Sequence, residues 1–204
     1  MQEERRRRVP AMAPEDRRAA LIEATVPLLH EHGLEISTKQ IAASAGVAEG
    51  TIFGVFKDKN SLVIAALLQV LDPQPTLDGL AGIDPALPLR ERLVVATDLI
   101  QQRFLVNARL MHAARHMAMT HDKETALRMM RGRQALEEAL TAVIEPDGAA
   151  LRRSPSATAR LLLLFAGANT FGPFGDPENF DASEQVSMLL DGLLVRKHER
   201  NGEK

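Results

Sequence analysis

Residues 37 to 62, STKQIAASAGVAEGTIFGVFKDKNSL, constrain the fold more than any other stretch. Ser37 is a good N-cap, and Gln40 three residues on can complete a capping box, so a helix is predicted from about Thr38 to Ala45. Ile41 and Ala45 then share one face. Gly46 ends the helix, because glycine enters the left-handed conformation without steric cost. Val47 fills the gap before a second helix, about Glu49 to Val55. That helix turns Ile52 and Phe56 inward and Glu49, Gly50, Thr51, Phe53 and Gly54 outward. Asp58 can cap a further helix starting at Lys59. Two short helices crossing at a glycine-containing turn form a helix-turn-helix, whose second helix has the size to enter a DNA major groove. Spacing alone fits an αα-corner in any helical protein equally well.

The residue identities separate the two. Thr38, Ile41-Ala42, Ala45-Gly46-Val47, Gly50-Thr51-Ile52-Phe53, Phe56, Lys59 and Leu62 form a gap-free pattern that resembles the DNA-binding domain of the TetR family of bacterial regulators. The resemblance covers about residues 15 to 71. Beyond that, the chain is similar to the family only in length, helicity and layout. The sequence departs from the family pattern at three places. Ala48 stands where a serine N-cap is usual, at a loss of about 1 kcal/mol. Phe53 stands in place of a tyrosine, and Val55 in place of a frequent histidine or tyrosine. Gly50 and Gly54 each lower helix stability by roughly 0.8 to 1 kcal/mol against alanine. What the resemblance implies is a DNA surface made of Thr38, Glu49, Gly50, Thr51, Phe53, Gly54 and Val55, with Lys59 as a phosphate anchor.

Composition narrows the function classes. The chain has 204 residues and no cysteine, tryptophan or tyrosine, with a formal net charge of −2. Disulfides and thiolate metal sites are therefore excluded, and stacking of bases on aromatic platforms is disfavoured. No apolar run is long enough to span a bilayer, and the charged N-terminus has no signal-like apolar segment, so a cytoplasmic protein without membrane association is expected. Residues 1 to 71 hold nine Lys and Arg against nine Asp and Glu, a balance of zero. Any electrostatic footprint for DNA must come from where the charges sit.

Taken in order, residues 1–14 carry Arg5, Arg6, Arg7 and Arg8, which read as a basic arm able to reach a minor groove, or as a solvated tail. Residues 15–58 are the expected DNA-binding domain. Its first helix spans about Glu15 to His32, with an apolar stripe through Ala20, Ile22, Val26 and Leu29, flanked by Leu21, Ala24 and Leu28; Pro27 removes one backbone donor from it. Residues 59–71 read as a bridging helix. Residues 72–204 read as a C-terminal ligand-binding and dimerisation domain. In it, 72–88 (DPQPTLDGLAGIDPALP) reads as a linker, and helices are expected over 89–106, 108–119 (capped by Asn107), 122–144, 155–171 and 182–197. The expected fold is thus all-α, about nine helices, with a three-helix helix-turn-helix domain in front of a larger helical domain.

The segment Leu161 to Ala168 is apolar all round, and Val186, Leu189, Leu190, Leu193 and Leu194 form a single stripe. Burial of both predicts a homodimer through the last two helices, with Leu161, Leu164, Ala168, Leu189, Leu190 and Leu193 at the interface; burial within one subunit is the alternative. A two-fold dimer would present two recognition helices about 34–36 Å apart to a palindromic operator in double-stranded DNA. By resemblance to the family, a small-molecule effector releases the protein from that operator. Phe104, Met111 and Phe165 are candidate apolar lining, and His112, Arg115, His116 and Asn169 candidate polar contacts, with core packing as the plainer role. His112 and His116 have metal-ligand spacing, but no third ligand pattern accompanies them. No metal or cofactor is expected. Nucleophile elbows and phosphate-binding glycine loops are absent, so an enzyme is not expected. The leading expectation is a homodimeric repressor; a helical interaction module without DNA binding and a histidine-based metal enzyme stand as alternatives.

Overall fold

The computed structural model describes residues 13–120, 123–171 and 180–193, with the side chains of all of these except 115–120, 169–171 and 193. Among the described residues every regular element is a helix. The chain divides into two compact units between Val70 and Leu71.

The first unit contains α1 (Pro14–His32), α2 (Thr38–Ser44), α3 (Glu49–Phe53) and α4 (Lys59–Val70). α1 packs against both α2 and α4. Leu21, Thr25 and Leu29, spaced four residues apart, form its buried line. The predicted stripe was centred one position away, because a threonine does not read as core. Thr25 is tolerated there since its hydroxyl donates to the Leu21 carbonyl at 2.7 Å, which satisfies the polar group locally. The helix runs through Pro27, whose missing N–H leaves the Glu23 carbonyl without its usual donor. Ile36, Ile41, Ile52, Phe56, Leu62 and Leu67 complete the core, each contributing about 1.5–3 kcal/mol by burial. α4 belongs to this unit.

The second unit is built on α6 (Leu89–Thr120), against which α5 (Gln74–Ala81), α7 (Lys123–Ile144), α8 (Pro155–Phe171) and α9 (Ala182–Leu193) all pack. Leu93, Ala96, Ile100 and Phe104 of α6 meet Leu140 and Ile144 of α7, Leu162 and Ala166 of α8, and Val186 and Leu190 of α9. α9 opens with a reciprocal cap: Glu184 N–H donates to Asp181 Oδ1 at 2.8 Å, and Asp181 N–H donates to Glu184 Oε2 at 3.0 Å.

Two expectations fail here. The stretch read as a linker contains α5. Pro75 sits in its first turn, where no intrahelical N–H is required. Thr76 and Leu80 are buried, which places this helix on the core. Gly79 lets it approach α6, since a Cβ there would lie 3.1 Å from Leu99 Cδ1. The second failure is the break at Asn107. α6 is one continuous helix of 32 residues. Asn107 is buried within it, and its Nδ2 donates to the Arg103 carbonyl at 3.0 Å instead of capping a new helix.

Candidate functional site

The α2–turn–α3 segment is fixed by short-range chemistry. Ser37 Oγ accepts from Gln40 N–H at 3.2 Å while Gln40 Oε1 accepts from Ser37 N–H at 2.9 Å, completing the capping box. At the other end Gly46 has φ +64°. Val47 N–H then reaches the Ala42 carbonyl at 3.0 Å, and Gly46 N–H reaches that of Ala43 at 3.2 Å. This pair of bonds satisfies the last carbonyls of α2 and sets the direction in which the chain leaves it. α3 follows with only five residues and no side-chain cap at Ala48. It is held from below, by buried Ile52 and by Phe56 just past its end. The Arg18 guanidinium of α1 lies 4.3 Å from the centre of the Phe56 ring on its other side, a cation–π contact. Ser44 Oγ donates to the Ala24 carbonyl at 3.0 Å and ties α2 to α1.

Outward from this frame, Glu49, Gly50, Phe53 and Gly54 are exposed and Thr38, Thr51 and Val55 half-exposed. Phe53, at 55% exposure, is the most exposed aromatic among the described residues. Two of the candidate side chains are already engaged. Thr38 Oγ1 donates to Glu49 Oε1, joining the starts of α2 and α3. Lys59 Nζ donates to the Ile36 carbonyl at 3.0 Å, which leaves two of its three N–H donors for another acceptor. Asp58 caps α4 as expected, with Oδ1 accepting from Ser61 N–H at 2.8 Å. The sequence reading overlooked Lys39 on α2 and Lys57 after α3, both exposed. Their proximity in sequence to the motif was the available signal. Arg5, Arg6, Arg7 and Arg8 lie outside the described residues.

In the second unit the candidate ligand residues divide. Phe104 is buried in the core, Met111 packs at its margin, and His112 is exposed. Phe165 is half-buried, with its ring centre 6.1 Å from that of Phe180. The side chains of Arg115, His116 and Asn169 lie outside those described. Among the described residues, no three His, Asp or Glu side chains converge as a metal site would require.

α8 was expected to be buried all round. One side of it, Ala159, Leu162, Leu163 and Ala166, faces the subunit's own core. Leu161 at 40% and Leu164 at 49% exposure, together with Ala168, lie uncovered. On α9, Met188 is exposed and Leu189 half-buried. Leu190, assigned from its spacing to the dimer interface, is only 2% exposed and belongs to the subunit core; the helix turns its Val186–Leu190 line inward. The Leu193 side chain lies outside those described.

No helix among the described residues is long and apolar enough to cross a membrane. Residues 21–66 match the family model described as bacterial regulatory proteins, tetR family. The chain is also similar to several solved structures. A transcriptional regulator from Rhodococcus sp. Rha1 shares 22% identity, with 91% of this chain and 100% of that one covered and a TM-score of 0.62. A tetR-family regulator from Streptomyces coelicolor shares 20% identity over 88% of this chain and 80% of its own, at a TM-score of 0.67. A TetR transcription regulator from Haloarcula marismortui shares 17% over 89% and 100%, at 0.68. At these identities the likeness establishes the fold along most of the chain, and the match over 21–66 establishes the character of the helix-turn-helix. Residues 21–66 thus carry the match to the tetR family of bacterial regulatory proteins, and the fold along most of the chain is the one these solved regulators share.

Proposed function

We propose that the protein is a cytoplasmic homodimeric repressor that binds a palindromic operator in double-stranded DNA and is released by a small-molecule effector. The observation that carries this reading is the two-sided character of α3. Ile52 is fully buried, whereas Glu49, Gly50, Phe53 and Gly54 are exposed around the other side. The free Glu49 carboxylate oxygen suits a cytosine amine, and Thr51 and Phe53 offer apolar contact to thymine methyls. Gly50, with no atoms within 4 Å of where a Cβ would stand, lets a base edge or sugar approach the backbone. Lys59 contacts a phosphate through its remaining N–H donors, Thr38 and Val55 lie alongside, and Lys39 and Lys57 extend the footprint.

The uncovered side of α8, with Leu161, Leu164 and Ala168, supports a two-fold pairing through α8 and α9, since an apolar strip of this kind is seldom left to solvent. In this reading half-buried Leu189 joins the same interface. In this reading the effector is held around Phe104, Met111, His112, Arg115, His116, Phe165 and Asn169.

The test is a salt-titrated binding assay on duplexes selected from a random pool. Lys59→Ala weakens all sequences alike and reduces the salt slope by about one. Glu49→Ala changes preference at one base pair. The reverse assignment of effects overturns these roles, and an intact dimer that binds no duplex at low salt establishes the interaction module instead.

A further inference from the structure

A cleft of about 280 Å³ opens in the second unit between α5, α7, the start of α6, the turn that precedes α6 and the turn that follows α7. Its walls are apolar, with Leu80 and Ile83 on one side and Ala139, Ala142 and Val143 on the other. Arg92 is the one charged residue in the lining. Its side chain is 4% exposed, so the guanidinium is held in an apolar setting.

The hydrogen bonds of Arg92 are unevenly distributed. Nη1 donates to the Pro85 carbonyl at 2.8 Å and to that of Leu87 at 3.1 Å, which fixes the plane of the group. Nη2 donates to Asp147 Oδ2. Nε is buried and has no hydrogen-bond partner among the described residues. Nε–H and one Nη2–H point the same way in a guanidinium, and together they form an edge that matches the two oxygens of one carboxylate. Asp147 occupies half of this edge through a single oxygen. Its side chain is 42% exposed, and it stands at a kink in the turn Glu145–Ala150, with φ −112°. Outward rotation of Asp147 would free Nη2 beside the unpartnered Nε.

We propose that this cleft binds a compact monocarboxylate with an apolar body, whose carboxylate replaces Asp147 on the Nε–Nη2 edge of Arg92. The exchange conserves charge at the buried cation, and it gives Nε–H a partner. A single guanidinium beside an acidic residue favours a monoanion over phosphate. The volume lies just under the usual range for small-molecule sites, which sets the body at roughly the size of a phenyl ring or a short branched chain. Alanine at 139 and 142 leaves that room. The site does not depend on how the protein meets DNA.

Calorimetric titration of the full chain with benzoate, isobutyrate, benzamide and inorganic phosphate tests the proposal. Benzoate and isobutyrate should bind saturably at one per chain, and benzamide and phosphate should not. Asp147→Asn removes the competing carboxylate and should tighten benzoate about tenfold. Ala142→Phe, at an exposed rim position, fills the cleft without touching Arg92 and should abolish binding, as should Arg92→Lys. The proposal is overturned by absence of saturable benzoate binding in both the wild type and Asp147→Asn. Binding left intact by Ala142→Phe, weakened by Asp147→Asn, or matched by benzamide or phosphate overturns it equally.

Discussion

Adding one methyl group at Gly46 and at Gly50 should move stability in opposite directions. Gly46 adopts φ +64°, and a Cβ built there meets nothing within 4 Å. Gly46→Ala is therefore free of clashes but pays the left-handed backbone cost of roughly 1–2 kcal/mol for a non-glycine residue. Gly50 lies in α3 with an ordinary helical backbone, and its Cβ direction is equally open. Gly50→Ala lowers the entropy of the unfolded chain and improves helix propensity, so it should stabilise by about 0.5–1 kcal/mol. The two variants then differ by about 1.5–3 kcal/mol for the same chemical change. Native-state hydrogen exchange read at the amides of Val47 and Phe56, both bonded within the motif, isolates the first unit from the second. Protection should fall in Gly46→Ala and rise in Gly50→Ala, and Gly46→Asn should lie between the wild type and Gly46→Ala because asparagine tolerates this region better. If both alanine variants shift the same way, the backbone argument is wrong. The same Gly50→Ala protein should bind operator more weakly while being more stable, a combination that a purely structural role for α3 does not produce.

Further outcomes follow from other contacts. Leu164→Arg puts a charge on the uncovered side of α8 and should weaken dimerisation more than about a hundredfold by sedimentation, with the fold of the subunit intact; a protein that stays dimeric excludes this face as the interface. Arg103 donates to the carbonyls of Leu71 and Asp72, and Arg103→Met should destabilise the second unit by about 2 kcal/mol in urea unfolding. The Arg160 guanidinium, hydrogen-bonded to Glu137 from Nη2 at 2.8 Å and Nε at 3.2 Å, holds that carboxyl below the ordinary glutamate range. Its contribution to stability is present above the unfolded value and is lost as pH falls through the folded one. A carboxyl-carbon titration should show Glu137 returning toward the ordinary range in Arg160→Gln, and the stabilities of the two proteins should converge in acid.

The parts of this molecule that were legible from sequence are those whose cause is local. The Ser37–Gln40 box, the Gly46 turn and the Asp58 cap are each made by residues within five positions of one another, so reading neighbours was enough. Proline and glycine obscured α5, because their usual meaning as punctuation was overridden by packing of Thr76 and Leu80. Asn107 looked like a cap only while its burial inside α6 was unknown. Spacing could not decide which way α9 turns, and so Leu190 was placed on the wrong side. At the candidate site, Glu49 and Lys59 were identified, but their partners were not. Thr38 is eleven positions from Glu49 and Ile36 is twenty-three from Lys59, and only the folded motif brings them together.

The link between Thr38 and Glu49 has a consequence for anyone wishing to retarget this protein. The carboxylate proposed to read a base is also a strut between the two helices of the motif. Changing position 49 alone alters the reader and slackens its mounting in one stroke, so overall affinity can fall along with the shift in preference at one base pair, and only the shift reports on the reader. A library aimed at new operators should therefore vary 38 and 49 as a unit, keeping pairs that can still bond across the turn.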